Sequence, residues 1–151
     1  MKDWIRKEVT RYVRKYGTRD PHRLAWELGI LVFRQDLGEC QGCYLYIKRR
    51  KVIFLSQDLE ERDEDMVLAH ELGHAVLHRK QNCYFLRDKT LLLPGIEREA
   101  NLFAAELLIP EETIREYPEY SVEQLSRLLG YREEFVRLKL KSMSIQYGGV
   151  K

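Results

Sequence analysis

One segment of this 151-residue chain constrains its fold more than any other. Residues 66–79, MVLAHELGHAVLHR, carry apolar side chains on nearly every side of a helix. A helix of that kind belongs in a protein interior. The same segment also carries His70, Glu71 and His74, and burying two imidazoles and a carboxylate without an ion or a partner costs several kcal/mol. The sequence therefore predicts a central buried helix whose polar residues bind a common ion or partner.

His70, Glu71 and His74 form the pattern HExxH. Positions i and i+4 of a helix lie on one face, about 6 Å apart along its axis, so both imidazoles can reach one ion. Histidine nitrogen binds zinc at about 2.0–2.1 Å. Glu71 is offset by one position, so it can reach a water on the metal and act on it as a general base. The pattern predicts a zinc site with His70 and His74 as metal ligands and Glu71 as the catalytic residue.

A catalytic zinc site needs a third protein ligand beside one open position. The run EREAN opens the next predicted helix and offers two carboxylates. Glu97 shares a helix face with Asn101, so Glu97 can bind the ion while Asn101 accepts a hydrogen bond from the distal nitrogen of a ligating histidine. Glu99 projects about 200° away around the helix and is the less favoured ligand. His78 lies about 12 Å along the axis from His70, too far to share the ion, and is expected to cap the helix or support the site from outside.

Periodicity and turn residues place these motifs in an α+β fold, mainly helical, with a small three-stranded sheet packed on the HExxH helix. The central helix is expected to begin at a cap formed by Ser56 or Asp58 and to end near Arg79. Other helices are predicted over residues 3–16, 21–28, 94–109, 122–129 and 131–143. Strands are predicted over 30–33, 43–48 and 51–56, the last two joined by a basic turn, and a loop over 80–93.

The chain is predicted to be a single metallopeptidase domain over residues 1–151. Its expected parts are N-terminal helices in 1–29, the sheet in 30–56, the zinc-binding helices in 57–110 and C-terminal helices in 111–143.

Composition excludes several classes of protein. Hydrophobic residues make up 44% of the chain and charged residues 33%, a balance that argues against disorder and low-complexity sequence. No apolar stretch approaches the ~20 residues that span a bilayer, and the charged N-terminus has no apolar core of a signal peptide. We therefore expect a cytoplasmic protein that does not contact a membrane. The net charge of +2, with an acidic middle, argues against direct binding to nucleic acid.

The cysteines do not form a pattern that assigns them a role. Cys40 and Cys43 make a lone CxxC, and no second CxxC completes a structural zinc site. Cys83 could join them only if the fold brought it close. Because disulfides are rare in the cytosol, we expect all three to be reduced thiols.

Two motifs together resemble a known family. HELGHAVLH (residues 70–78) followed by EREANLFAAELLIP (residues 97–110) is similar to the ImmA/IrrE metallopeptidases, whose core resembles that of small gluzincins. The resemblance is strong over about residues 63–110 and looser on either side. It implies that His70, His74 and Glu97 bind the metal, that Glu71 is catalytic and that Asn101 orients a ligand, in agreement with the spacing.

The resemblance also implies a function. Members of this family are cytoplasmic zinc endopeptidases that cleave a helix-turn-helix transcriptional repressor, commonly of a prophage or mobile element, and so switch genes on under stress. One Zn²⁺ per chain is implied, a repressor is the implied partner, and no small-molecule cofactor is expected. From the residues alone, the sequence predicts only a zinc hydrolase.

Two other functions are compatible with the sequence. Residues 121–141 resemble a helix-turn-helix, although their net charge of +2 is weak for DNA binding, and packing on the peptidase core is favoured. The chain could also be a zinc-containing regulatory or antitoxin-like module that binds a repressor or DNA without proteolysis. Glu71 argues against this, because a purely structural zinc needs no base.

Two details of catalysis stay open at this stage. Tyr44, Tyr46, Tyr84 and the arginines are all candidates to stabilise the oxyanion of the reaction, and the sequence selects none of them. The hairpin over residues 43–56 could present a sheet edge beside the zinc helix, where an extended substrate would pair by strand addition.

Overall fold

The structure of the chain, a computed structural model, describes residues 3–80 and 94–146. These residues form an α+β fold, as predicted. The helices are α1 (Asp3–Tyr16), α2 (Pro21–Glu27), α3 (Glu61–Leu77), α4 (Pro94–Leu108), α5 (Glu111–Glu116), α6 (Val122–Leu129) and α7 (Glu133–Gln146). The strands, between α2 and α3, are β1 (Leu31–Gln35), β2 (Gly42–Ile47) and β3 (Arg50–Ser56). The predicted loop over 80–93 lies, except for residue 80, outside the described residues.

The first two helices form as their sequences predict. α1 is amphipathic and buries Ile5 and Val9 on its apolar face. α2 begins with Pro21, whose fixed φ suits the first helical position. Asp20 is the N-cap, and its side chain accepts a hydrogen bond from the backbone N–H of His22. α1 therefore covers the predicted residues, and α2 begins at the predicted cap.

The three strands form one mixed sheet in the order β1-β3-β2. β2 and β3 are the antiparallel arms of the predicted hairpin, and β1 pairs with β3 in parallel. Tyr44, Ile53 and Leu55 lie on the same face of the sheet and are fully buried. This face packs against α3, and β2 is left as an edge strand of the sheet.

α3 is the central buried helix that the sequence predicts. It contacts β2 and β3 on one side and α4 on the other. Leu68, Leu72 and Ala75 are fully buried within the main hydrophobic core. The core therefore surrounds the HExxH segment and restricts the orientation of its polar side chains.

The start of α3 differs from the prediction. Glu60 occupies the N-cap position and its side chain makes no capping hydrogen bond. Ser56 instead ends β3, and its hydroxyl accepts a hydrogen bond from the backbone N–H of Asp58 in the connecting turn. Negative charge in the first turn, from residues such as Glu61 and Asp63, favours the helix N-terminus without a cap. The helix ends at Leu77, two residues before the predicted end.

The C-terminal part contains one helix that was not predicted. α5 follows directly after Pro110 and covers only six residues, too few for a clear apolar periodicity. α6 has the predicted Ser121 cap, completed by a capping box with Gln124, and it ends at Gly130 in the left-handed conformation. α7 begins two residues later than predicted and continues to Gln146.

The helices of the described residues are too short or too polar for a bilayer. None of them combines the length and the apolar character needed to cross a membrane.

The basic turn of the hairpin holds two residues in an unfavourable conformation. Lys48 and Arg49 have φ of 49° and 65°, so both lie in the left-handed region. Two-residue hairpin turns require this geometry and strongly prefer Asn-Gly, because other residues pay about 1–2 kcal/mol each in that region. We therefore expect the double variant Lys48→Asn/Arg49→Gly to raise the free energy of unfolding by about 1–2 kcal/mol in urea denaturation.

The neighbouring position provides a matched control. Arg50 also carries a positive charge but begins β3 outside the left-handed region. Arg50→Gly should lower the free energy of unfolding by roughly 0.5–1 kcal/mol, because glycine weakens a strand. A stabilisation by both changes alike would mean that charge, and not backbone conformation, limits this turn.

Candidate metal centre

α3 presents His70 and His74 on the same side, one turn apart. Their ring centroids are 4.8 Å apart and the ring planes are nearly perpendicular, at 82°. The His74 side chain is fully buried and the His70 side chain is 13% exposed. Both imidazoles therefore lie on the same side of a helix that packs between the sheet and α4.

The first turn of α4 brings Glu97 to both imidazoles. Its Oε1 lies 2.9 Å from Nε2 of His70 and 2.7 Å from Nε2 of His74. Within the described residues, these three side chains form a group whose ligand atoms are close enough to share one metal ion. Two imidazole nitrogens, one carboxylate oxygen and an accessible side are the donor set of a catalytic zinc site. The three side chains therefore fit the zinc ion that their spacing predicts.

Asn101 supports the second nitrogen of His70. Its Oδ1 lies 2.7 Å from Nδ1 of His70. An amide oxygen only accepts, so Nδ1–H of His70 is the donor, and its other nitrogen can then offer a lone pair to a metal. This is the contact predicted from the one-turn spacing of Glu97 and Asn101.

The ionisation of Glu97 and His74, though not that of His70, favours binding of a cation. Burial would raise the pKa of Glu97, but hydrogen bonds to His70 and His74 outweigh burial and hold that pKa well below its ordinary value. Burial also lowers the pKa of His74. At His70 burial acts in the same direction, but the hydrogen bond to Glu97 and the charge of Glu71 raise the pKa above its ordinary value. An ionised carboxylate therefore faces two nitrogen donors.

Glu71 lies beside this group and is fully buried. It lines a cavity of about 210 Å³, which we call the cleft. The cleft is also lined by Gln41, Asp63, Met66, Val67, His70, Glu97, Asn101, Arg132, Glu134 and Phe135. The predicted base and two of the three predicted ligands therefore face one cavity.

Sequence reasoning missed the role of Gly42 at the start of β2. A Cβ at this position would lie 2.7 Å from Cγ1 of Val67 and 3.4 Å from Cγ of Glu71. Only a residue without a side chain lets the edge strand approach the HExxH helix this closely. The signal in the sequence was a lone glycine at the first position of a strand, which is too common to be informative.

The candidates for oxyanion stabilisation differ in whether they line the cleft. The Tyr44 side chain is buried and its hydroxyl donates to the backbone carbonyl of Arg79, at 2.5 Å, away from the cleft. Tyr46 is not among the residues that line the cleft, and Tyr84 lies outside the described residues. Arg132, from the turn before α7, is the one lysine or arginine among the described residues lining the cleft.

The remaining histidines lie outside the ligand group. His78 caps the end of α3 and its Nδ1 lies 3.1 Å from Nδ1 of His74. Its Nε2 lies 2.7 Å from Oε1 of Glu99, so Glu99 faces His78 and not the cleft. His22 lies apart from the site, with its Nε2 3.0 Å from Oε1 of Glu64.

The cysteines and the helix-turn-helix-like segment also have defined places. Cys40 is half-buried, Cys43 is buried, and Cys83 lies outside the described residues. α7 packs against α4 and buries Val136, and it also buries an ion pair in which Nζ of Lys139 lies 2.7 Å from Oε1 of Glu106. The second helix of this segment therefore uses one face for the core, as favoured from the sequence.

The chain is similar to several known proteins. Residues 25–141 match the model of a peptidase family, M78, described as the IrrE N-terminal-like domain. The chain is 36% identical over 139 residues to "Uncharacterized immunity region protein 2" of Bacillus phage phi105, a match that covers 89% of this chain and 88% of that protein. It is 27% identical over 115 residues to "Metallopeptidase ImmA" of Bacillus subtilis strain 168, a match that covers 74% of this chain and 67% of that protein.

The contact between α3 and α4 gives a test of how the site is assembled. A Cβ at Gly73 would lie 2.9 Å from Cα of Ala100 and 3.0 Å from its carbonyl oxygen. Backbone atoms cannot rotate away, so Gly73→Ala must push the helices apart, and overpacking of this kind costs about 1–3 kcal/mol. We expect that loss in the free energy of unfolding, measured with urea.

Gly95, in the first turn of α4, provides the control. Apart from its chain neighbours and the nearby backbone of its own helix, no described atom lies within 4 Å of a Cβ built there. Gly95→Ala should therefore stabilise the helix by roughly 0.5–1 kcal/mol. Similar effects of the two substitutions would contradict a close backbone contact at Gly73.

Proposed function

The chain belongs to the ImmA/IrrE family of peptidases, and from this membership we propose that it is a zinc-dependent endopeptidase that cleaves a helix-turn-helix transcriptional repressor. The observation that carries the proposal is the convergence of His70, His74 and Glu97 beside the buried Glu71. The first three are the proposed zinc ligands, Glu71 the proposed catalytic residue, and Asn101 the residue that orients His70.

The chemistry follows from the donor set and its neighbours. Zinc, when bound, polarises the scissile carbonyl and lowers the pKa of water toward about 7. Glu71 then accepts a proton from the attacking water and passes it to the leaving amine. Arg132 is the proposed partner for the negative charge that develops on the carbonyl oxygen, because it is the one lysine or arginine among the described residues that line the cleft.

The edge of the sheet is the proposed binding place for the substrate backbone. β2 pairs with β3 on one side only in the described part of the chain, and its first residue, Gly42, lies against Glu71. A peptide in extended conformation can pair with such an edge by backbone hydrogen bonds, with its side chains pointing to alternate faces. Strand addition would thus bring a scissile bond next to the base and the ligand group.

The proposed substrate is a protein of a mobile element. One relative carries the name of an immunity region protein of a phage, and another is named metallopeptidase ImmA. Both names fit a peptidase that acts on the repressor of a prophage or integrative element and derepresses its genes under stress. Such a substrate is cytoplasmic, so we also propose that the peptidase acts in the cytoplasm without contacting a membrane or nucleic acid.

A regulatory or antitoxin-like zinc module is the alternative. Such a module would bind the repressor or DNA without cleaving it, and its zinc would be closed by a fourth protein ligand. The group here has three ligand side chains among the described residues, and it opens on a cleft that a buried glutamate also lines. This arrangement favours catalysis.

Zinc should stabilise the folded chain. At zinc concentrations about a thousandfold above the dissociation constant, the free energy of unfolding should rise by about 4 kcal/mol over that of the chelator-treated protein. Glu97→Gln should lose most of this gain, because an amide is a poor zinc ligand, whereas Glu116→Gln, an exposed position on α5, should keep it. Urea denaturation with and without Zn²⁺ measures the difference, and a wild-type midpoint that does not respond to zinc would contradict the metal site.

Removal of the base should separate cleavage from metal binding. Glu71→Gln keeps the shape of the side chain but cannot accept the proton, so we expect the cleavage rate to fall by about 10²–10⁴ while zinc content stays at one ion per chain. The measurement is the appearance of repressor fragments, by mass spectrometry, after incubation with the helix-turn-helix repressor encoded nearest to its gene.

Glu119→Gln, at an exposed position, is the matched control and should cleave like the wild type. If wild type and Glu71→Gln both bind the repressor and neither cleaves it, the antitoxin-like module replaces the peptidase. If both cleave it equally, the assignment of Glu71 as base is wrong.

A further inference from the structure

A second set of polar side chains lies behind the ligand group, on the side away from the cleft. Nδ1 of His74 and Nδ1 of His78 are 3.1 Å apart, and Nε2 of His78 lies 2.7 Å from Oε1 of Glu99. The His78 side chain is 7% exposed and the Glu99 side chain 17%. These three residues, His74, His78 and Glu99, form a hydrogen-bonded row that ends at the proposed metal ligand.

The protons in this row can be assigned from the chemistry of its ends. When Nε2 of His74 offers its lone pair to a metal, a neutral His74 carries its proton on Nδ1 and must donate it. Nδ1 of His78 then has to accept, so a neutral His78 carries its proton on Nε2. That proton is donated to the carboxylate of Glu99, which can only accept. Each contact thus has one donor and one acceptor.

The spacing of residues on the two helices separates the roles of the two glutamates. His78 follows His74 by four residues as the C-cap of α3, and Glu99 is two residues after Glu97 on α4, about 200° around the helix. Glu97 therefore meets the imidazole nitrogens that face the cleft, and Glu99 meets His78 behind them. The two carboxylates act from opposite sides of His74.

His74 needs such support more than His70 does. His74 is fully buried. A buried N–H without an acceptor destabilises the fold by the full cost of removing that group from water. His70 has the Asn101 amide as its acceptor, and His78 is the corresponding acceptor for His74. Groups that accept from the distal nitrogen of a ligating histidine fix its ring orientation, and their loss typically weakens metal affinity 10- to 100-fold.

We propose that His78 and Glu99 are positioning residues for the metal: His78 holds the His74 imidazole in the orientation and tautomer that bind the ion, and Glu99 holds His78. The inference rests on the proposed function, because it requires His74 to be a zinc ligand. It adds two residues to the metal centre that neither bind the ion nor line the cleft.

The test is the zinc affinity of purified full chains, measured by competition with a chromophoric chelator. His78→Leu removes the acceptor and should weaken zinc binding 10- to 100-fold. His78→Gln retains a carbonyl oxygen that can accept from His74, so its affinity should return to within about threefold of the wild type. Rescue by glutamine distinguishes an acceptor from a side chain that only fills space.

His22→Leu is the matched control, since His22 also pairs with a glutamate but lies apart from the metal centre. Its zinc affinity should equal that of the wild type. The visible spectrum of the Co²⁺-substituted protein is the second measurement: His78→Leu should change the d–d absorption bands, and His22→Leu should leave them unchanged.

Glu99→Ala keeps the test decisive if His78→Leu does not fold. This variant leaves the His78 ring in place without its carboxylate, and zinc affinity should fall, by less than for His78→Leu. Wild-type zinc affinity in Glu99→Ala, or in His78→Leu where that variant folds, overturns the inference.

The two proposals fail in different ways. If the wild type binds zinc and cleaves the repressor while His78→Leu or Glu99→Ala binds zinc equally well, only the inference about positioning is wrong. If the wild type itself binds no zinc, the proposed function fails, and the inference fails with it.

Discussion

The close packing of α3 on α4 is the contact on which the rest of the site depends. Gly73 lies between the two histidines of the HExxH motif and lets the backbone of Ala100 approach to within contact distance. Glu97 and Asn101 are carried by the same part of α4, so this one contact places both against the imidazoles. A larger residue at Gly73 would therefore move Glu97 and Asn101 away from the imidazoles.

Much of this arrangement is local and could be predicted. The spacing of His70 and His74 on one helix, and of Glu97 and Asn101 on another, follows from helix geometry, and the buried character of the first helix follows from its apolar surroundings. Caps at Asp20 and Ser121 are likewise decided within a few residues. The structure brings the two pairs together as predicted, although the role of His70, His74 and Glu97 as metal ligands stays a proposal.

What could not be predicted depends on contacts between distant parts of the chain. The parallel pairing of β1 with β3 is a choice among sheet edges that local pattern does not reveal. Gly42 matters only because β2 lies against Val67, and Arg132 matters only because the turn before α7 reaches the cleft. The wrong cap for α3 has a similar cause, since Ser56 is held as the last residue of β3 by the neighbouring strands.

The exposure of the three clustered side chains follows a gradient. His74 is fully buried, His70 is 13% exposed and Glu97 is 33% exposed. Among the described residues the group is thus buried at His74 and has its opening at Glu97, so the proposed ion, its water and the proposed polypeptide substrate would all approach from the side of Glu97. A polypeptide lying across that opening would obstruct exchange of the ion for as long as it stayed, and chelators would remove metal fastest from the protein alone.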